Sequence, residues 1–254
     1  MRNLHKLLLV LSISIVLFSC DFNHEDENDN TSYHVDIATV ENPNNLSAFF
    51  FRLDNDELMW TAESNFRDYK PANGQRIVAY YTLLTNKKAT GLYDYDVKLE
   101  DAYEVLTKGV FNITPETQDS IGNDSITIKN MWIGNDYLNV QFIYTGNNKT
   151  HFINLVYDTS KLYSDGKIHL EFRHNSNGDS AYYYKEGIVS FNLTELRTLT
   201  NDTNLDLVIH VNAPNQAADD TYSITYNFGE TTVLYRSPKH LINKDFRSSL
   251  QKIE

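Results

Sequence analysis

The chain has 254 residues and a formal charge of −12 at neutral pH, a length that allows one large or two small domains. So acidic a molecule repels nucleic acid and anionic head groups, which argues against both as partners. Hydrophobic residues make up 41% and aromatics 13%, with 17 tyrosines; that supplies a packed core, leans toward β structure and excludes collagenous or low-complexity classes.

In chain order, Arg2 and Lys6 form a short basic start. The run from Leu7 to Phe18 is apolar apart from two serines. It is too short to cross a hydrocarbon core, which needs about 20 helical residues. A basic start, a short apolar stretch and a small residue describe an export signal. The small residue is Ser19, followed by Cys20, the single cysteine of the chain. Leu17-Phe18-Ser19-Cys20 resembles the lipobox of bacterial lipoproteins, in which the cysteine is lipidated and becomes the mature N-terminus. The alternative is a plain signal peptide with an incidental cysteine. Residues 21–33 are polar and acidic and read as a solvated tether, because they cannot bury enough apolar surface to fold. An acidic patch directly after a lipidated cysteine also resembles signals that send lipoproteins to the outer face of some Gram-negative bacteria. With its thiol taken by lipid, Cys20 leaves the fold without a disulfide. Any metal would need His, carboxylate or carbonyl ligands, and no cofactor is expected.

Residues 34–113 show short strands separated by turns. Val35, Ile37 and Val40 begin one. Asp54-Asn55-Asp56 joins Ala48–Leu53 to Glu57–Trp60 as a hairpin. Arg76–Leu84 is a longer strand, and Tyr93, Tyr95, Val97 and Leu99 alternate with polar residues. Val105–Ile113 is expected to close the set into a small OB-like barrel. Pro115, Gly122 and their polar neighbours make 114–123 the expected linker.

Residues 124–236 alternate more regularly. Turns are expected at Gly134-Asn135-Asp136 and Gly146-Asn147-Asn148. Strands are expected around Ile126–Met131, Leu138–Tyr144, Phe152–Tyr157, Ile168–Phe172, Val189–Leu193, Leu205–Val211 and Tyr222–Phe228, with a short helical turn at Thr194–Leu199. About seven such strands predict an immunoglobulin-like antiparallel sandwich, with Trp132 buried at its start. The tail, 237–254, places Ile242, Phe246, Leu250 and Ile253 on one helical face. It reads equally as a docked amphipathic helix and as a frayed end. The fold class is therefore all-β, a small barrel followed by a sandwich.

Chemistry is less legible. Phosphate-cradling glycine loops, a Gly-x-Ser-x-Gly elbow and a His-Glu-x-x-His pair do not occur in the sequence. His169, Glu171 and Arg173 share one side of a strand and are expected to be its solvated face, or else a ligand face. His174–Asp179 is rich in oxygen side chains. It is a turn, or less readily a calcium loop. Tyr182, Tyr183 and Tyr184 cannot all face one side of a strand, so at least one points outward and offers a stacking surface. The barrel face would carry Arg52, Arg76 and Lys98 beside Asp54, Asp56, Asp94 and Asp96, without a basic groove. The candidate binding residues are Tyr182, Tyr183, Tyr184, His174 and Asp179; the lipidation site is Cys20.

The segments FFFRLDNDELMW, GQRIVAYYTLL, YDYDVKLE and DSIGND, then MWIGNDYLNVQF, HFINLV, HLEFRHN and GIVSFNL, resemble the NigD-like lipoproteins of Gram-negative anaerobes. The resemblance runs from about Val35 to Tyr226. It implies an N-terminal OB-like domain and a C-terminal β-sandwich, a bacteriocin-immunity role suggested for the founding member, and no catalytic residues to carry over. Together these readings lead to the expectation of a non-enzymatic cell-envelope lipoprotein. It would be held to the membrane by its N-terminal lipid and would bind a protein or glycan. The rival expectation is a hydrolase or carbohydrate-active lipoprotein with a site between the domains.

Overall fold

The computed structural model describes residues 33–66, 68–214 and 220–228. The lipobox, Cys20, residues 21–32 of the acidic tether and the tail from 237 onward lie outside the described residues, while Tyr33, expected to end the tether, opens the first barrel strand.

Five strands form a closed barrel: β1 (Tyr33–Glu41), β2 (Phe50–Leu53), β3 (Leu58–Ser64), β4 (Arg76–Leu83) and β5 (Tyr95–Glu104), in the order β1-β2-β3-β5-β4. Closure leaves no open sheet edge. The β2–β3 hairpin turns at the expected place, where Asp56 takes a left-handed φ of 65°, a conformation Asp tolerates. Period two decides what fills the barrel: Phe51, Leu53 and Met59 point in, with Val97, Leu99 and Tyr81. Phe50, Arg52 and Trp60 stand outside.

The expectation that 105–113 closes the barrel is corrected. β6 (Leu106–Asn112) lies in the sandwich, paired parallel to β11 on one side and β9 on the other. The barrel closes without it, through β1 on β4. Its alternation, Leu106 and Val110 inward, suits either domain, so the pattern alone could not assign it.

The sandwich is one eight-stranded sheet in the order β13-β12-β10-β9-β6-β11-β8-β7. Its other strands are β7 (Thr127–Gly134), β8 (Tyr137–Gly146), β9 (Phe152–Tyr157), β10 (Ile168–Asn175), β11 (Tyr183–Asn192), β12 (Asn204–Val211) and β13 (Asp220–Asn227). A 3-10 helix spans Thr194–Leu199 as expected. Most pairings are antiparallel, but β6–β9, β6–β11 and β10–β12 are parallel. The core is built from Phe142, Phe172, Phe191, Leu138, Leu170 and Leu207 among others.

The expected linker is part of the sandwich. It holds a short helix, α1 (Gln118–Ile121), and Ile113 and Ile121 are buried against Val156. The reading of Glu171 and Arg173 as a solvated face is corrected for the same reason. Glu171 is 8% and Arg173 6% exposed. Arg173 pairs with Glu171 and donates to the Gly122 carbonyl at 3.2 Å, while Lys161 reaches Glu171 at 2.5 Å. The segment around α1 and the β9–β10 loop therefore cover that face.

Candidate functional site

The two domains meet on a small apolar cluster of Ile37 and Val78 from the barrel with Val105, Trp132 and Ile188. Beside it runs a buried polar network. Arg76 binds Asp54 through its two terminal guanidinium nitrogens, at 2.7 and 3.1 Å, and donates to Asn139 Oδ1 at 2.9 Å. Asn139 Nδ2 donates back to Asp54 at 2.9 Å, Ser190 Oγ donates to Asn139 at 2.7 Å, and Trp132 Nε1 donates to Asp54 at 3.2 Å. The Arg76 guanidinium also lies 4.5 Å from the centre of the Tyr137 ring. A charge this deep is tolerable only when paired and hydrogen-bonded. Asp54 and Arg76 are thus junction residues, not part of an outer barrel face. Gly134 allows the approach, since a Cβ there would lie 2.2 Å from Asp54 Cγ. Trp132 is buried as expected, but its partners are those of the junction rather than the sandwich core.

The second constellation closes one end of the sandwich. Strand alternation from Phe142, Ile153 and Phe172 places Tyr144, His151 and His174 on the core face, one step beyond the last apolar layer. His151 Nδ1 lies 2.8 Å from His174 Nε2, His151 Nε2 3.2 Å from Asp179 Oδ2, and His174 Nδ1 3.2 Å from the Ser125 carbonyl oxygen. Two neutral rings carry two protons for these three contacts: with His151 Nε2–H donating to Asp179 and His151 Nδ1 accepting from His174 Nε2–H, His174 Nδ1 faces the Ser125 carbonyl without a proton. Burial pushes both imidazoles below their ordinary pKa; the Asp179 carboxylate opposes this at His151, and the neighbouring ring adds to it at His174. Burial works against the Asp179 carboxylate too. Backbone amides of Asn147, Asn148 and Ser180 with the His151 ring outweigh that and hold it well below the usual carboxylate range. Asp179 thereby ties the β8–β9 loop to the β10–β11 loop. Lys149 adds bonds to the carbonyls of Asn177 and Gly178 at 3.0 and 2.9 Å.

Of the five candidate binding residues, the structure separates two from three. His174 is 2% exposed and the Asp179 side chain equally so; both are internal supports rather than contact residues. The loop His174–Asp179 is a turn, with Asn177 and Gly178 at positive φ, and no cluster of metal-ligating side chains is found among the described residues. Tyr182, Tyr183 and Tyr184 are 73%, 64% and 85% exposed. All three rings are out because β11 here runs beyond β6, which joins it only from Val189. The other ladder, to β8, ends at Gly146 opposite Tyr183. His169 lies apart from these, stacked on Tyr163 with ring centres 3.5 Å apart and bonded to Asp165 and His210.

The sequence reading missed His151 and the junction network. It also missed Phe50, Trp60 and Tyr93 as a group, although the hairpin register sets Phe50 opposite Trp60 and could have revealed them.

A closed five-stranded barrel docked through buried polar bonds onto a β-sandwich, with an exposed aromatic tip, defines a two-domain all-β protein. Models of the NigD-like N-terminal OB domain and the NigD-like C-terminal β-sandwich domain match residues 37–105 and 109–226; the chain belongs to the NigD-like family. Among solved structures it is similar to a protein of unknown function from Bacteroides vulgatus ATCC 8482, with 27% identity, a TM-score of 0.67, and 88% of this chain and 100% of that one covered. A protein from Parabacteroides distasonis ATCC 8503, described as toxin-related, is 30% identical with a TM-score of 0.63, covering 77% of this chain and 93% of that one. A NigD-like immunity protein from Bacteroides caccae ATCC 43185 shares the fold at 17% identity and a TM-score of 0.62, covering 77% and 97%. No curated protein matches.

Proposed function

We propose that this protein is a non-enzymatic recognition module of the Gram-negative cell envelope. A lipid on Cys20 anchors it in the outer membrane, and the Tyr182–Tyr184 tip is its contact surface. The observation that carries this reading is the exposure of all three rings on a tip whose loops are stitched together by Asp179 and Lys149. Rings on a rigid support give large contact area at low entropy cost, and the loop asparagines beside them offer hydrogen bonds. A protein ligand fits such a tip, and protection against a bacteriocin is one form of it; the Bacteroides caccae relative is called an immunity protein. The lipobox supports the anchor.

The test has two arms. Palmitate label should enter the wild type and disappear in Cys20→Ser; equal labelling would end the lipoprotein reading. Cells producing the Tyr182→Ala/Tyr184→Ala protein should lose protection or ligand capture while the variant melts at the wild-type temperature. Saturable cleavage of a peptide or glycan by the purified protein would replace the recognition reading with the enzymatic one.

A further inference from the structure

The outer face of β2 and β3 holds a second aromatic group, on the barrel rather than the sandwich. Phe50 and Trp60 lie directly opposite in the hairpin with ring centres 4.6 Å apart. Tyr93, just ahead of β5, completes a triangle at 5.6 Å from Phe50 and 6.3 Å from Trp60. All three are half-buried. Their strand neighbours Phe51 and Met59 fill the barrel, so alternation turns Phe50 and Trp60 outward.

Tyr93 is held in place by polar contacts. The Tyr93 hydroxyl donates to Asp96 at 2.8 Å, and the Lys88 ammonium lies 3.7 Å from the centre of the Tyr93 ring while pairing with Asp96 at 2.8 Å. The backbone beside Tyr93 is bound to β3: Leu58 N–H donates to the Asp94 carboxylate and Asp94 N–H to the Leu58 carbonyl, each at 2.8 Å. Such preorganisation lowers the ordering cost of binding. The group also sits where a five-stranded barrel of this topology offers its ligand face, on strands 2 and 3 with the β4–β5 loop.

Charge decides the class of ligand. The cations near the rings, Arg52, Lys87 and Lys88, are each paired, with Glu41, with Glu57 and Asp94, and with Asp96. An oligonucleotide needs cations to neutralise its phosphates, and these are already engaged by carboxylates. A neutral sugar needs an apolar ring to lie its C–H face on, and paired polar groups at the rim for its hydroxyls. We propose that Phe50, Trp60 and Tyr93 form a stacking platform for a neutral oligosaccharide, separate from the tyrosine tip.

The test uses the full chain in a sugar-free zwitterionic detergent, titrated with short neutral glucan, mannan, xylan and fructan oligosaccharides, with oligo-dT and polygalacturonate in parallel. The expected result is saturable binding of at least one neutral glycan. Binding should weaken about tenfold or more in Trp60→Ala and Tyr93→Ala and stay unchanged in Tyr182→Ala/Tyr184→Ala. In the unaltered chain the bound glycan should also shield Trp60 from acrylamide quenching, while the buried Trp132 does not respond, so the platform is testable even where Trp60→Ala fails to fold. Three outcomes overturn the proposal: binding of none of the neutral glycans, tighter binding of oligo-dT or polygalacturonate, or glycan binding without shielding of Trp60. None of these bears on the tyrosine tip.

Discussion

At the scale of single residues, the junction between the domains depends on Arg76. Replacing it by Met would leave the Asp54 carboxylate buried with only Asn139 and Trp132 as donors. Removing one partner of a buried pair costs on the order of 3–5 kcal/mol. Urea denaturation of Arg76→Met should show a loss of that size, and a loss within about 0.5 kcal/mol would mean that water reaches the site. Gly134→Ala should destabilise through a different cause, the overlap of its Cβ with Asp54; typical overpacking costs about 1–3 kcal/mol. The combined variant should cost less than the two single losses added, because both act on the same carboxylate. His174 shows what a residue's place in an alternation is worth. It stands two positions after Phe172, so period two already assigned it to the core face. The richness of the His174–Asp179 stretch in polar side chains drew the sequence reading toward the surface instead.

At the scale of elements, β9, β10 and the two loops beyond them form an acid-sensitive unit. His151 and His174 have pKa values lowered from 6.5 by burial. A lowered folded value means the unfolded chain binds more protons as the pH drops through the ordinary histidine range. Stability then falls as pH decreases below about 6.5. The carboxylate of Asp179 acts in the same direction, further into acid, because its folded value is lowered as well. Melting temperature should therefore decline between neutral pH and about pH 5. The decline should be shallower in a His151→Gln/His174→Gln double variant that still folds. An identical decline in that variant would assign the effect elsewhere. Hydrogen exchange should show the 146–150 and 176–182 loops opening first under acid, before the barrel strands. The start of β11 behaves differently. Its tyrosines make few internal contacts, so Tyr182→Ala and Tyr184→Ala should shift stability by no more than about 0.5 kcal/mol.

At the scale of the whole molecule, the barrel and sandwich share buried groups rather than a flexible connection. Val105 is buried at the crossing point and its N–H donates to the Arg76 carbonyl at 2.9 Å. The chain then enters the sandwich directly as β6, inserted between β9 and β11. Thermal unfolding should be a single transition seen alike by Trp60 in the barrel and by sandwich probes. Two separated transitions would show that the junction contributes little. Early protease cuts are expected in exposed loops such as 160–167 rather than at 114–123, which packs through Ile113 and Ile121.

The sequence by itself determined the all-β class, both hairpin turns at Asp54–Asp56 and Asn135–Asp136, the 3-10 helix at Thr194–Leu199, and most of the strands. These are local properties: alternation with period two, and Asn, Asp and Gly where the backbone must turn. Only the tertiary structure decided that β6 belongs to the sandwich, that Asp54 and Arg76 face the second domain, that Glu171 and Arg173 are covered, and that His151 meets His174. Each of those depends on which surface arrives from a distant part of the chain. A strand's alternation shows that it has two faces, but burial of a polar face is set by what packs on it. The exposure of Tyr182 to Tyr184 has the same origin, because it follows from where β6 begins and β8 ends rather than from the three residues themselves.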